Sequence, residues 1–287
     1  MKNRIIIFLL LGAFSLYAQE LRIEPETLSN SISSYKIIDV RDPKAYRKAH
    51  IQNSINFPAD LTYENKNFDG RITNPNTIQQ LLRERNLDID DNIVVYDDGS
   101  FFDAARVFWT LEVYGFKNVK LLNAGFEEWQ EKNFAISDKK NEEIKTGNYI
   151  ASVNNKRLST KFTTQIATKS PEQVIIDART YDEYIGEKSV AKRFGHIPKA
   201  IHIPAFENLN KEETNPKLKD IESLKDLYKG IDKNKKVVIY CSIGKIAATN
   251  YFALRELQYD VSNYDASWKE WGDDDSLPIV NKSAKQN

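Results

Sequence analysis

One cysteine, three histidines and no net charge are the first limits on this chain of 287 residues. A single thiol, Cys241, cannot form an internal disulfide, so packing must hold the fold. His50, His196 and His202 are scattered, and with one cysteine they show no ligand spacing; no metal and no cofactor is expected. Lys plus Arg and Asp plus Glu both total 41, which gives no support to a nucleic-acid or membrane-surface partner. No glycine-rich nucleotide loop follows a first strand, and no nucleophile elbow of a serine hydrolase is present. Long apolar runs are also scarce. Ile5–Leu11 is too short for a membrane span, but Lys2 and Arg4 precede it, and Ala13, Ser15 and Ala18 follow. That is the pattern of a secretory signal peptide over residues 1–18, with an uncleaved anchor as the alternative. The expected location is periplasmic or secreted, with no membrane attachment after cleavage. A lone free thiol in an exported protein points to a reactive group rather than a structural one.

What the chain does contain is a repeat. Residues 35–41 (Tyr-Lys-Ile-Ile-Asp-Val-Arg) match 173–179 (Gln-Val-Ile-Ile-Asp-Ala-Arg). His50–Pro58 matches His196–Pro204, Ile93–Tyr96 matches Val237–Tyr240, and Leu122–Trp129 matches Tyr264–Trp271. The offset stays near ~140 residues, the size of a duplicated domain rather than a solenoid unit. Each copy alternates short apolar runs with helical patterns. In the first, Asn74-Pro75 opens a helix through Arg85, Val94–Tyr96 is a buried strand, and Ala104–Tyr114 is a helix stopped by Gly115. Val119–Leu122 and Phe126–Lys132 complete it. The second runs through Leu224–Tyr228, Val237–Tyr240, Ala247–Leu257 and Val261–Tyr264. This order predicts an α/β protein, each copy a mainly parallel sheet with helices on both faces. The expected division is 20–136, a polar surface linker over 137–161, and 162–282.

Ligands of such sheets lie beyond the carboxyl ends of the strands. Cys241 stands at one of these ends, followed by a tight loop, Ser242-Ile243-Gly244-Lys245-Ile246, and a helix. Unpaired N–H groups at a helix start favour a thiolate, the reactive form of cysteine. The alternative is a buried structural cysteine. In the first copy Asp97 takes the place of Cys241, in a loop about one residue longer. A carboxylate cannot carry sulfur covalently, so the first copy is expected to be catalytically silent. The same comparison assigns His50 and His196, and Trp129 and Trp271, to the fold. Arg41 and Arg179 each follow an Asp by two residues, so part of the role of Arg179 is structural.

Cys241-x-x-Gly-x-x after a strand, Asp177-Ala178-Arg179, Gly195-His196-Ile197-Pro198 and 265–272 (Asp-Ala-Ser-Trp-Lys-Glu-Trp-Gly) together resemble the two-domain rhodanese sulfurtransferases over nearly the whole mature chain. The resemblance implies two tandem rhodanese-like domains, the first silent and walling the cleft. It implies sulfur transfer through a Cys241 persulfide, from a small anionic donor to cyanide, a thiol or a thioredoxin-like protein. It places a substrate-binding arginine at Arg179 and donor contacts at Ser242, Ile243, Gly244, Lys245 and Ile246. Thiosulfate-preferring relatives carry basic side chains after the cysteine, and mercaptopyruvate-preferring ones small and hydroxyl residues; Ser242 and Ile243 match neither set. The latter group also carries a histidine near 68–71, where none stands here, and this favours thiosulfate over 3-mercaptopyruvate. A phosphatase of the Cys-x5-Arg kind is disfavoured, because Ala247 stands where the arginine is needed. A non-enzymatic persulfide carrier or redox-sensing partner protein is the other reading.

Overall fold

The computed structural model describes residues 20–65, 69–139, 145–210 and 216–283. The segment read as a signal peptide therefore lies outside the described residues.

Two five-stranded parallel sheets with the same topology carry the repeat. In the first, β1 (Arg22–Ile23), β2 (Lys36–Asp39), β3 (Ile55–Asn56), β4 (Ile93–Tyr96) and β5 (Val119–Leu122) are ordered β1-β5-β4-β2-β3. In the second, β6 (Leu158–Ser159), β7 (Gln173–Asp177), β8 (Ile201–His202), β9 (Lys236–Tyr240) and β10 (Val261–Tyr264) are ordered β6-β10-β9-β7-β8. The registers correspond: Asp39 pairs with Tyr96 as Asp177 pairs with Tyr240. In the first domain the helices that frame the sheet are α1 (Pro75–Arg83), α2 (Phe102–Val113) and α3 (Phe126–Glu131). In the second they are α4 (Tyr181–Ile185), α5 (Ile221–Tyr228), α6 (Ala247–Glu256) and α7 (Ser267–Asp273). Local chemistry sets several boundaries. The Asn74 side chain accepts from the Asn76 and Thr77 N–H groups, both at 3.1 Å, with Pro75 as the first helical residue. Gly115, with φ of 90°, turns the chain after α2.

The stretch read as a linker differs from expectation in two ways. Leu158–Ser159 is strand β6, paired with Asn263 and Tyr264, and so belongs to the second sheet. A two-residue edge strand has too little periodicity to be seen in a polar stretch. The linker is also pinned rather than merely superficial: Tyr149 is buried, and its hydroxyl donates to the Tyr114 carbonyl at 2.6 Å.

Strand alternation divides the side chains between two faces. Along β9, Val237 and Ile239 join one apolar cluster that is continuous through both domains, whereas Val238 and Tyr240 join a separate cluster on the outer face. Along β4, Ile93 and Val95 face inward and Val94 and Tyr96 outward in the same way. The shared core closes through α2 against α6. Phe108 meets Phe252 edge-on at 4.9 Å. Glu112 accepts from Arg255 at 2.8 Å and from the Tyr251 hydroxyl at 2.5 Å. Cys241, next in the alternation after Tyr240, belongs to the inner cluster. The thiol therefore faces the other domain.

Candidate active site

The strand end holding Cys241 is fixed from the following helix. The Ser267 hydroxyl accepts from the Cys241 N–H at 3.1 Å and donates to the Tyr264 carbonyl at 2.8 Å. The Trp268 and Lys269 N–H groups donate to the Cys241 and Ser242 carbonyls, each at 3.0 Å. Beyond the thiol the chain turns at Gly244, whose φ is 70°. A Cβ there would stand 2.2 Å from the Asp265 carbonyl oxygen, so both conformation and space require glycine. Among the described residues, the N–H groups from Ser242 to Ala247 meet no acceptor.

The first domain shows what such a loop holds. Asp97 follows β4 as Cys241 follows β9, and the Phe126 N–H donates to its carbonyl at 3.1 Å, as Trp268 does to Cys241. The Asp97 carboxylate turns back into its own loop. One oxygen accepts from Gly99 at 2.8 Å and Phe101 at 3.2 Å; the other accepts from Ala104 at 3.2 Å and the Ser100 hydroxyl at 3.3 Å. Phe101 has φ of 62°, close to the 70° of Gly244, so the two backbones turn alike. Burial, with Asp98 alongside, pushes the Asp97 carboxyl up to about 6 despite these donors.

The other expected site residues fall into different places. Ser242 donates to Glu183 at 2.6 Å, and Glu183 in turn caps α4 through Thr180. Lys245 is paired with Asp103 of the first domain at 2.7 Å, both side chains about one-third exposed. Ile243 lends its carbonyl to an interdomain contact: a Cβ on Gly70 would stand 1.6 Å from that oxygen. Ile246 is half-buried and packs on the shared core.

Arg179 corrects the expectation of a substrate-binding arginine. It is wholly buried, and its guanidinium lies 4.5 Å from the Trp268 ring and 5.4 Å from Tyr240, both on the outer face of the sheet. It is bound to Asp177 at 2.6 Å and to the Gly195 carbonyl at 2.7 Å. Arg41 repeats this pairing with Asp39 and the Ala49 carbonyl. Strand parity puts both arginines on the face away from the loop, where they order the β2 and β7 strand ends. His50 and His196 belong to the same frame, donating to the Tyr46 and Tyr184 carbonyls at 2.8 and 2.7 Å.

Sequence reasoning missed the residue that joins the two domains at the site. Arg106, on α2, is fully buried. It donates to the Gly244 carbonyl at 3.0 Å, to Gly70 at 2.9 Å and to the Thr62 hydroxyl at 3.1 Å. It thus ties the Cys241 loop to an arm of the first domain, described over residues 62–65 and 69–72. Its signal lay in the repeat: Ala104-Ala105-Arg106 matches Ala247-Ala248-Thr249, an arginine inside an apolar helix of one copy only. The arm is anchored again at Ile72, whose N–H donates to Asp265 at 2.6 Å, and at Arg71, 2.9 Å from Glu270. Burial pushes the Asp265 carboxyl up to about 6, with Arg106 and the N–H donors opposing.

Comparison with known proteins agrees with this geometry. A family model described as the rhodanese-like domain matches residues 24–132 and 161–274. A putative thiosulfate sulfurtransferase of Haloferax volcanii is 28% identical over 267 residues, covering 86% of this chain and 88% of its own. The 3-mercaptopyruvate sulfurtransferase of Escherichia coli is 27% identical over 241 residues, with 82% and 84% covered. The crystal structure of SseA from Escherichia coli, described with the rhodanese fold of 3-mercaptopyruvate sulfotransferases, superimposes with a TM-score of 0.76 at 25% identity, covering 87% of this chain and 99% of that one.

Proposed function

The chain belongs to the rhodanese-like domain family and is a sulfurtransferase of that type, and from that premise we propose that Cys241 carries the sulfur as a persulfide held in the loop 242–247. One observation carries this reading, the Asp97 carboxylate in the matching loop. Its charged oxygens stand two bonds beyond Cβ. The outer sulfur of a cysteine persulfide also stands two bonds beyond Cβ and bears the negative charge, whereas a bare thiolate ends one bond short. The unpartnered N–H groups of the Cys241 loop suit the persulfide as those of the first loop suit Asp97.

The reaction balances without an outside oxidant. The Cys241 thiolate attacks the outer sulfur of the donor, the bond from that sulfur to the donor remnant breaks, and the remnant leaves with the electron pair. With thiosulfate the remnant is sulfite. The acceptor, cyanide, a thiol or a reduced thioredoxin-like protein, then attacks the outer persulfide sulfur and restores the thiolate. Thiosulfate is the donor proposed over 3-mercaptopyruvate. Sulfite needs no proton on leaving, whereas a pyruvate enolate does, and the stretch 68–71, where Gly70 packs on the loop, has no histidine to supply one. Lys245 and the N–H groups meet the donor's charge; Arg179 does not. The export pattern of residues 1–18 supports a location outside the cytoplasm for this chemistry.

Donor profiling of the mature protein, with mass spectrometry of Cys241, tests the reading. A one-sulfur gain on Cys241 with thiosulfate, discharged by cyanide, is expected. Turnover without sulfur on Cys241 would refute it, and fractionation of expressing cells with N-terminal sequencing checks the location.

A further inference from the structure

Each domain lays an arm on the other. In the first domain Tyr63 bridges to Ile72, and Ile72 docks on Asp265. In the second, Leu209 pairs with Leu218, and the Leu218 N–H docks on Asn123 at 3.2 Å. Asn123 and Asp265 are matched positions of the repeat, and so are Tyr63 and Leu209, each the residue that follows the short helical turns at 59–62 and 205–208. The arm reaching the domain with the filled loop thus carries a leucine. The arm reaching the domain with the open loop carries a tyrosine.

Tyr63 is 7% exposed, and among the described residues its buried hydroxyl has no hydrogen-bond partner. An unmet buried hydroxyl costs about 1–3 kcal/mol, so its retention calls for a reason. The ring is held in place: the Arg106 guanidinium lies 4.3 Å from its centroid while bonding the Gly244 carbonyl. Arg106 thereby sets the Tyr63 ring beside the loop that turns at Gly244, three residues after Cys241. Burial pushes the Tyr63 hydroxyl up to about 12, and the charges acting on it include Arg106, then Cys241, Asp103 and Asp60. Asp103 is the partner of Lys245 on that loop.

We propose that the Tyr63 hydroxyl, supplied by the silent domain, is a hydrogen-bond donor to the anionic sulfur of Cys241, thiolate and persulfide alike. The arm would then complete the sulfur site from across the domain boundary, adding an O–H to the N–H groups of the loop. The persulfide half of this proposal rests on the function proposed above; the thiolate half does not.

Tyr63→Phe removes only the oxygen. Because that oxygen has no structural partner, the melting temperature should stay the same or rise. Alkylation of Cys241 by iodoacetamide at pH 7 should slow by about three- to tenfold, and its pH profile should move up by about half to one pH unit, the size of one lost hydrogen bond of ordinary strength. Sulfur uptake from thiosulfate should fall by a similar factor. Unchanged alkylation and uptake profiles would overturn the proposal, and so would a melting temperature lowered by several degrees, which would reveal a structural partner. If wild-type Cys241 takes up no sulfur, the persulfide reading fails, while the alkylation profile still decides the role of Tyr63.

Discussion

The two domains differ little in frame and sharply in what the central loop contains. Both end β4 or β9 on a tyrosine whose hydroxyl donates to the aspartate of the neighbouring strand, Tyr96 to Asp39 and Tyr240 to Asp177. In both, Ile51 or Ile197 donates back to that tyrosine oxygen at 3.1 Å. One residue later they part. Asp97 fills its own loop with a carboxylate, and Cys241 leaves its loop open. The lesson is that the frame makes the same turn in either copy, and the residue at the strand end decides whether a carboxylate fills it.

The largest break in this comparison is Cys241→Ser. It should keep the fold, since Ser can occupy the same buried place, and lose sulfur transfer by about a thousandfold or more in single-turnover assays. Retained transfer above that level would remove covalent catalysis from the account.

Arg106→Met comes next. It leaves the Gly244 and Gly70 carbonyls without their donor and frees the catalytic loop from the arm. A stability loss on the order of 3 kcal/mol is expected by urea unfolding, with a drop in transfer that no change at Arg41 should reproduce.

The third concerns acid. Asp97 lies at about 6 in the folded protein against an ordinary 3.8, so folding favours its protonated form. That contribution is fully present below the ordinary value and is lost as pH rises through about 6. Asp97→Asn should therefore flatten the decline in unfolding free energy between pH 4 and pH 7, by an amount on the order of 2 kcal/mol, while transfer stays within about tenfold of wild type. Asp265, also at about 6, retains its share of the decline in that variant. A transfer loss like that of Cys241→Ser would contradict a silent first loop.

The smallest effect sharpens the charge comparison. The pair of Lys245 with Asp103 is partly exposed and worth about 0–1 kcal/mol. Lys245→Ala should raise the thiosulfate KM by at most several-fold, and less in high salt. Asp103→Asn should lower that KM by releasing the cation. Equal KM values for all three proteins at low salt would mean that backbone N–H groups alone meet the donor.

Much of this was legible before any coordinates. Repetition let one half of the sequence serve as a control for the other. It exposed the exchange of Asp97 for Cys241, paired Arg41 with Arg179, and located the central strands that end at Tyr96 and Tyr240. Short edge strands such as Leu158–Ser159 were hidden, because two residues carry no period. Arg179 was misplaced because a motif says which residue is present, not which face of a sheet it occupies. Parity along β7 carries that information, and it puts the arginine behind Tyr240 rather than beside the thiol.

The sequence by itself determined the family, the duplicated α/β frame and the single thiol, because these depend on local patterning and on composition. Only the tertiary structure decided how the site is closed. Arg106, Tyr63 and Gly70 lie 135 to 178 positions before Cys241 in the chain and reach its loop because the shared core packs α2 against α6. No spacing rule links residues that far apart; the contact exists only once two apolar faces have been buried against each other.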